Sequence, residues 1–307
     1  MPVLFRCAIQ SIMAWLLLLA ATSMANADEY KTYCIGRLLI DIPASFELVR
    51  HSGSAYISEL ERIGTGGPEE AEKLWRERVG ALRNNSFQVR ETNQIYLKSQ
   101  TIDRFYFVSR QGDFSALGLG LRELWFEDMF FSSQGIVFRA THSMKSENEV
   151  ERREQLIRVA KATTPREPDE IPNKEGSCVD GAFIALPPEG ETQGALFMPI
   201  HEQPIAIEFT FSLRKPGGRQ LGLEGAQGSL GRRISIAGLN GRYAKDYADK
   251  GFMFYAAVGQ QTTENQFGLS LRIKYFDTRS DFGKAPYTRQ KADEIWDRLV
   301  NSARIRP

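Results

Sequence analysis

Cys34-Ile-Gly-Arg-Leu-Leu-Ile-Asp-Ile-Pro43 is a ten-residue stretch that the chain contains a second time, as Cys178-Val-Asp-Gly-Ala-Phe-Ile-Ala-Leu-Pro187. Each copy opens with cysteine and a β-branched residue, has isoleucine at its seventh place, and closes with an aliphatic residue and proline. The two cysteines are 144 residues apart, which is close to the length of one domain. We interpret the copies as the first strand of each half of a duplicated protein.

Amphipathic helices are predicted at corresponding places in the two halves. Asn148–Ala162 closes the first half and Lys291–Arg304 closes the second, each with apolar side chains at helical spacing. A further helix begins at Pro68, followed by Glu69 and Glu70, because proline and acidic residues favour a first helical turn. Among the strands of the second half, Tyr243–Asp249 is predicted to form one helical turn.

The segment 165–176 divides the chain. It holds three prolines among charged residues and has no apolar periodicity, which is typical of a short, semi-rigid linker. Strands grouped together with few helices favour an α+β fold over alternating βαβ units. We therefore predict two similar β-rich domains, 28–164 and 177–307, each an antiparallel sheet with a C-terminal amphipathic helix.

Residues 1–27 have the composition of a secretory signal peptide. Arg6 precedes the apolar run 12–21, and Ala25-Asn26-Ala27 fits the small-residue cleavage pattern. An uncleaved anchor is the alternative, although the apolar run is short for a membrane span. Cleavage before Asp28 predicts a secreted protein that is not inserted in the membrane.

Charge and cysteine content restrict the partners and the compartment. The chain has 38 acidic residues against 39 basic ones, of which Arg6 belongs to the leader, so we expect no general attraction for nucleic acid. Cys7 also belongs to the leader, which leaves Cys34 and Cys178. In an oxidising compartment such a pair can form a disulfide between the halves; the alternative is two buried thiols.

The sequence contains no recognisable catalytic or metal-binding motif. His51, His142 and His201 have no partners at metal-ligand spacing, and neither a G-x-S-x-G elbow nor a phosphate-binding loop is present. We therefore predict no metal, no cofactor and no enzymatic activity.

Acidic residues near the middle of the first half leave one alternative open. Glu123, Glu127 and Asp128 are interpreted as a solvated sheet face. If they instead perform acid–base chemistry, the chain is a secreted hydrolase or ligand-binding protein with its site in the interdomain cleft.

Aromatic residues are concentrated in the same segment. The stretch 125–131 has four aromatic side chains in seven residues, more than one sheet face easily buries. Excess aromatic side chains beside acids suit a protein interface, although core packing is the favoured interpretation for each residue taken singly. The stretch 252–255 offers the same choice. The partner-contact candidates are Trp125, Phe126, Glu127, Asp128, Phe130 and Tyr255.

Three motifs resemble Tle cognate immunity protein 4, a family of periplasmic immunity proteins against lipase effectors of type VI secretion. Tyr33–Pro43 is similar to the opening of the family's N-terminal domain, and Gly176–Pro187 is similar to the opening of its C-terminal domain. Ile236-Ala237-Gly238, followed by Gly241, resembles a strand-and-turn motif of that second domain.

The resemblance implies the antidote of a toxin–antitoxin pair. Members of the family are two-domain clamps that grip a phospholipase effector, blocking its catalytic groove and the lid movement that exposes it. It therefore implies a monomer, or a 1:1 heterodimer with a cognate lipase, without catalytic or cofactor-binding residues. A structural envelope protein is the remaining alternative.

Overall fold

The structure is a computed structural model that describes residues 29–56, 58–84, 97–111, 124–145, 148–187, 189–200, 205–214, 231–248, 251–262, 266–276 and 288–306. The predicted signal peptide, Glu123 and His201 lie outside the described residues. The helices are α1 (Pro68–Asn84), α2 (Glu149–Ala162) and α3 (Arg289–Ser302).

Strands from the first half of the chain are β1 (Tyr30–Ile35), β2 (Leu38–Pro43), β3 (Phe46–Ala55), β4 (Ser58–Thr65), β5 (Leu97–Ile102), β6 (Phe105–Gln111), β7 (Leu124–Ser133), β8 (Ile136–Lys145) and β9 (Thr163–Pro165). Those from the second half are β10 (Ser177–Val179), β11 (Ala182–Ile184), β12 (Glu191–Pro199), β13 (Ile205–Arg214), β14 (Arg232–Ile236), β15 (Leu239–Ala248), β16 (Gly251–Gln261), β17 (Gln266–Phe276) and β18 (Arg304–Ile305).

One antiparallel sheet of twelve strands runs through both halves, in the order β14-β15-β16-β17-β13-β12-β3-β4-β8-β7-β6-β5. From its centre outward, the first half reads β3-β4-β8-β7-β6-β5, and the second half reads β12-β13-β17-β16-β15-β14. Each set of six is followed in the chain by a helix, α2 or α3. The predicted α+β class, with two similar sets of antiparallel strands and closing helices, is confirmed. The pairing of β12 with β3 joins the two sets.

The duplicated stretches form two hairpins that lie outside the large sheet. The hairpin β1–β2 pairs with β18, the strand after α3, and the hairpin β10–β11 pairs with β9, the strand after α2. Their registers correspond, since Ile305 lies opposite Leu38 and Pro165 lies opposite Ala182. Equivalent places in the two ten-residue copies therefore pair with equivalent strands.

The hairpins are exchanged between the halves. Ile35, Leu38 and Ile40 of the first hairpin pack in the core formed by β13, β16, β17 and α3 of the second half. Val179 and Ile184 of the second hairpin pack in the core formed by β7, β8 and α2 of the first half. Each half of the molecule therefore contains the opening strands of the other half of the chain.

The sheet of the first half is covered on both faces. α2 and the second hairpin pack on one face, which contains Met129 and Phe131. α1 packs on the opposite face, which contains Phe130 and Tyr106. A strand between two covered faces can bury side chains of both parities, and this explains the four aromatic residues of β7.

Residues 243–248 belong to strand β15, so the helical turn predicted over Tyr243–Asp249 is wrong for this part. Alternate side chains of the strand face α3: the Tyr243 ring lies 6.3 Å from that of Trp296, and the hydroxyl of Tyr247 donates to Asp293. Because these inward residues are amphipathic, the period-two pattern of the strand is not evident in the sequence.

Candidate protein-binding surface and the junction of the halves

Strand β7 distributes the predicted contact residues between the two covered faces of its sheet. Trp125 and Glu127 lie on the face of α2, whereas Phe126, Asp128 and Phe130 lie on the face of α1. The side chain of Phe126 is half-buried, with the Arg110 guanidinium 5.2 Å from its ring, and the other four are buried. A partner could therefore reach Phe126 most directly.

Glu127 is fully buried and holds α2 against the sheet. Arg153 of α2 donates from Nε and Nη2 to Glu127 Oε1 at 2.8 and 2.6 Å, and the Ser109 hydroxyl donates to the same oxygen. His142 Nε2 lies 3.4 Å from Oε2. Burial alone would raise the pKa of Glu127, but its contacts with His142, Arg153 and Ser109 together hold it below its ordinary value. The interpretation of Glu127 as part of a solvated face is wrong, because α2 covers this face of the sheet and supplies Arg153 as the cationic partner of the carboxylate.

Asp128 belongs to a separate polar contact. It accepts hydrogen bonds from Arg78 Nε of α1 at 3.0 Å and from the Thr141 hydroxyl at 2.8 Å. Because it follows Glu127 in a strand, its carboxylate projects from the other side of the sheet. The structure does not bring these two acids together as a pair.

The large sheet also has a face on its second half that we call the outer face. Side chains alternate along the strands, so the residues opposite the core of α3 are Arg233 of β14, Arg242 of β15, Met253 and Tyr255 of β16, and Arg272 and Lys274 of β17. Tyr255 is half-buried with the Arg272 guanidinium 5.7 Å from its ring, and Met253 is 39% exposed. Within the described part of the chain, no helix covers this face.

Cys34 and Cys178 form a disulfide that joins the two exchanged hairpins, with their Cα atoms 5.8 Å apart. Beside it, the backbone N–H of Gly36 donates to the carbonyl oxygen of Cys178 at 2.7 Å, and the N–H of Cys178 donates to that of Gly36 at 2.8 Å. One covalent bond and two hydrogen bonds therefore connect the hairpins where they cross.

Three buried arginines surround this crossing. Arg166 donates to the carbonyl oxygen of Cys34 at 3.1 Å, and Arg306 donates to the carbonyl oxygens of Pro172 and Lys174. Arg37 donates to the carbonyl oxygen of Leu186 at 2.8 Å. Burial lowers the pKa of Arg166 to about 10, and the nearby Arg306 acts in the same direction. These bonds hold the segment that the sequence predicts as a linker against both hairpins.

Two further titratable groups are buried where the halves meet. Glu191, the first residue of β12, lies 3.7 Å from Arg37 Nε, and burial raises its pKa to about 7 despite that cation. Burial, together with Arg166, lowers the pKa of His51 on the neighbouring strand β3 to about 4. The folded protein therefore favours the neutral form of both side chains near pH 6.

These two groups should give the stability of the protein opposite dependences on pH. Because Glu191 binds its proton more tightly when folded, its contribution to the free energy of unfolding falls between about pH 4.5 and pH 7. His51 binds its proton more weakly when folded, so its contribution rises between about pH 4 and pH 6.5. Glu191→Gln should therefore gain stability relative to the wild type as the pH rises, and His51→Gln should lose it.

Urea denaturation at four values between pH 4.5 and pH 7.5 measures both variants against the wild type. Differences that stay constant across this range would contradict the assignment. Glu47→Gln, at an exposed position on β3, is the control and should parallel the wild type.

Neither a metal site nor a membrane-spanning helix is found in the described part of the chain. Among these residues, no group of three His, Cys, Asp or Glu side chains is close enough together to hold a metal ion. Nor does any helix formed by them have the length and hydropathy that a bilayer span requires.

Comparison with known protein families gives a match to the N-terminal part of the chain. Residues 31–105, which include the first hairpin except for Tyr30, match the family model described as the Tle cognate immunity protein 4 N-terminal domain. The predicted family resemblance is confirmed there. The match contains the first cysteine stretch but not the second, and no curated protein matches the sequence significantly.

Solved immunity proteins share the fold over almost the whole chain. The chain is similar to one in the crystal structure of the Tle4–Tli4 complex, with 19% identity, a TM-score of 0.71, and coverage of 91% of this chain and 98% of that one. It is also similar to the apo immunity protein TplEi of the type VI secretion system of Pseudomonas aeruginosa, with 18% identity, a TM-score of 0.69 and coverage of 91% and 97%. At these identities the likeness establishes the fold.

Proposed function

We propose that this chain is a periplasmic immunity protein that binds a cognate type VI lipase effector and inhibits it sterically. The observation that carries the proposal is the family match at residues 31–105, in a chain whose fold resembles solved immunity proteins over 91% of its length. One of those solved structures is a complex of Tle4 with Tli4. The protein would then protect its own cell as a two-domain clamp.

The rigid connection of the halves supports inhibition by contact. The pair β12–β3, the disulfide Cys34–Cys178 and the buried arginines fix the two halves of the sheet relative to each other. A binding surface that is already ordered loses little conformational entropy when it associates. A stable complex needs roughly 800 Å² of surface from each partner.

The alternative of a secreted hydrolase has no support from the described acids. Glu127 is buried in contacts with Arg153, and Asp128 lies on the other side of the sheet with Arg78. Glu123 lies outside the described residues. A protein that blocks another enzyme by contact needs no nucleophile or acid–base pair of its own.

The test uses the mature chain and its candidate effector, a lipase that is sought as a neighbouring open reading frame with a G-x-S-x-G elbow. We expect the two proteins to elute as a 1:1 complex in size-exclusion chromatography, and ester hydrolysis by the lipase to fall to background at equimolar protein. Full lipase activity at saturating protein would end the proposal, as would hydrolysis by this chain alone. N-terminal sequencing of the protein purified from the periplasmic fraction should give Asp28 as its first residue.

A further inference from the structure

The outer face has an unusual pair of like charges. Arg233 of β14 lies directly opposite Arg242 of β15 in the antiparallel register, and both side chains are exposed. Directly opposite side chains on neighbouring strands have their Cβ atoms about 5 Å apart, and like charges at this distance destabilise the pair. The sheet therefore keeps an unfavourable contact between two arginines at exposed positions, where other polar residues would be tolerated.

Nearby carboxylates do not relieve this pair. Arg242 donates to the carbonyl oxygen of Gly231 at 3.2 Å, and among the described residues neither guanidinium forms an ion pair. Glu208 of β13 pairs with Arg272 and Lys274 instead. Asp246 lies in register with Met253, four residues along the strand from Arg242.

Comparison of the two halves shows that this face is the counterpart of a covered one. In the first half, the face opposite α2 and its hairpin is covered by α1, which pairs Arg78 with Asp128. In the second half, the described residues place no helix over the corresponding face, where Tyr255 and Met253 keep exposed surface. The chain as a whole has nearly balanced charge, yet this face has five cations, Arg214 of β13 among them, against Glu208 and Asp246.

We propose that the outer face binds an acidic patch on the lipase effector, with Arg233 and Arg242 as paired contacts and Tyr255 as the aromatic anchor beside them. This inference rests on the proposed function and names the surface that performs it. A guanidinium binds a carboxylate with two parallel hydrogen bonds, so a partner carboxylate between the arginines satisfies both and removes their repulsion. Tyrosine and arginine are the residue types that most often dominate the energy of protein interfaces.

Charge reversal at one position separates this role from a structural one. Arg233→Glu places an acid opposite Arg242, so the free protein should melt at the same temperature as the wild type or higher. The same change should weaken the complex with the neighbouring lipase by roughly tenfold or more, and reduce the salt dependence of its association rate. If Arg233 had only a structural role, its replacement would not lower the affinity for the lipase while leaving the stability of the free protein unchanged.

Arg104→Glu is the matched control, because Arg104 is exposed at the β5–β6 turn, at the opposite end of the twelve-stranded sheet. It makes the same change in net charge and should leave the affinity within about twofold of the wild type. Tyr255→Ala should weaken binding by a similar factor to Arg233→Glu. If wild type binds and Arg233→Glu binds as Arg104→Glu does, the outer face is not the contact surface, while the proposed function stands. If wild type neither binds nor inhibits the lipase, both proposals fail.

Discussion

Replacing Cys34 and Cys178 with alanine should lower the free energy of unfolding by about 3 to 5 kcal/mol, because the bond closes a loop of 144 residues. Opening a loop of this length restores much conformational freedom to the unfolded chain. The bond also connects the two hairpins, each of which completes the core of the other half. Guanidinium denaturation followed by circular dichroism measures the loss.

The two single cysteine variants test whether the crosslink itself supplies this stability. Cys34→Ala or Cys178→Ala alone breaks the whole crosslink, so each should cost nearly as much as the double variant. A reducing agent should shift the midpoint of the wild type and leave that of the double variant unchanged. Equal midpoints for the oxidised and the reduced wild type would show that the crosslink contributes nothing to stability.

Glu127→Leu should destabilise the protein by about 3 kcal/mol, because it removes the fully buried carboxylate from Arg153 and leaves only the partly exposed Glu149 to pair with that guanidinium. The double variant Glu127→Leu/Arg153→Leu should recover much of this loss, since an apolar pair replaces the ionic one without an unpaired charge. Urea denaturation of the two single variants and the double variant gives the coupling energy directly.

The same carboxylate should sensitise the protein to acid. Its pKa is held below the ordinary value, so its stabilising contribution is present above about pH 4.5 and is lost as the pH falls through the folded-state pKa.

The control for Glu127→Leu is Glu151→Leu, at an exposed position on α2, which should change the stability by less than about 0.5 kcal/mol. A coupling energy near zero between Glu127 and Arg153 would contradict the account.

Short-range patterns in the sequence predict most helices and strands of the fold. The two cysteine stretches, the acidic start of α1 and the apolar stripes of α2 and α3 are all short-range features, so their strands and helices could be predicted from the sequence. The exchange of the hairpins could not be predicted in this way. An alternation of apolar residues determines which face of a strand is buried, but not which of two similar sheets buries it.

The surroundings of the predicted contact residues depended on distant partners. Glu127 is compatible with burial only because Arg153, 26 residues later, reaches it from a helix. The aromatic excess of β7 correctly excludes a strand with one buried face, yet the sequence does not tell a second packed layer from a binding surface. The pair Arg233 and Arg242 was missed because it becomes visible only in the cross-strand register. The turn Ile236–Leu239 between those strands is the signal that could have revealed it.

The exchanged hairpins also restrict the order in which a newly made chain can fold. The hairpin β1–β2 leaves the ribosome early, but it packs against α3 and β18, at residues 289–305. Until those residues are synthesised, its apolar side chains have no native surface to cover them. Contacts between such distant parts of a chain make folding slow. The opening strands therefore cannot form their native contacts until most of the chain has been synthesised, which suits the export in an unfolded state that the proposed periplasmic location requires.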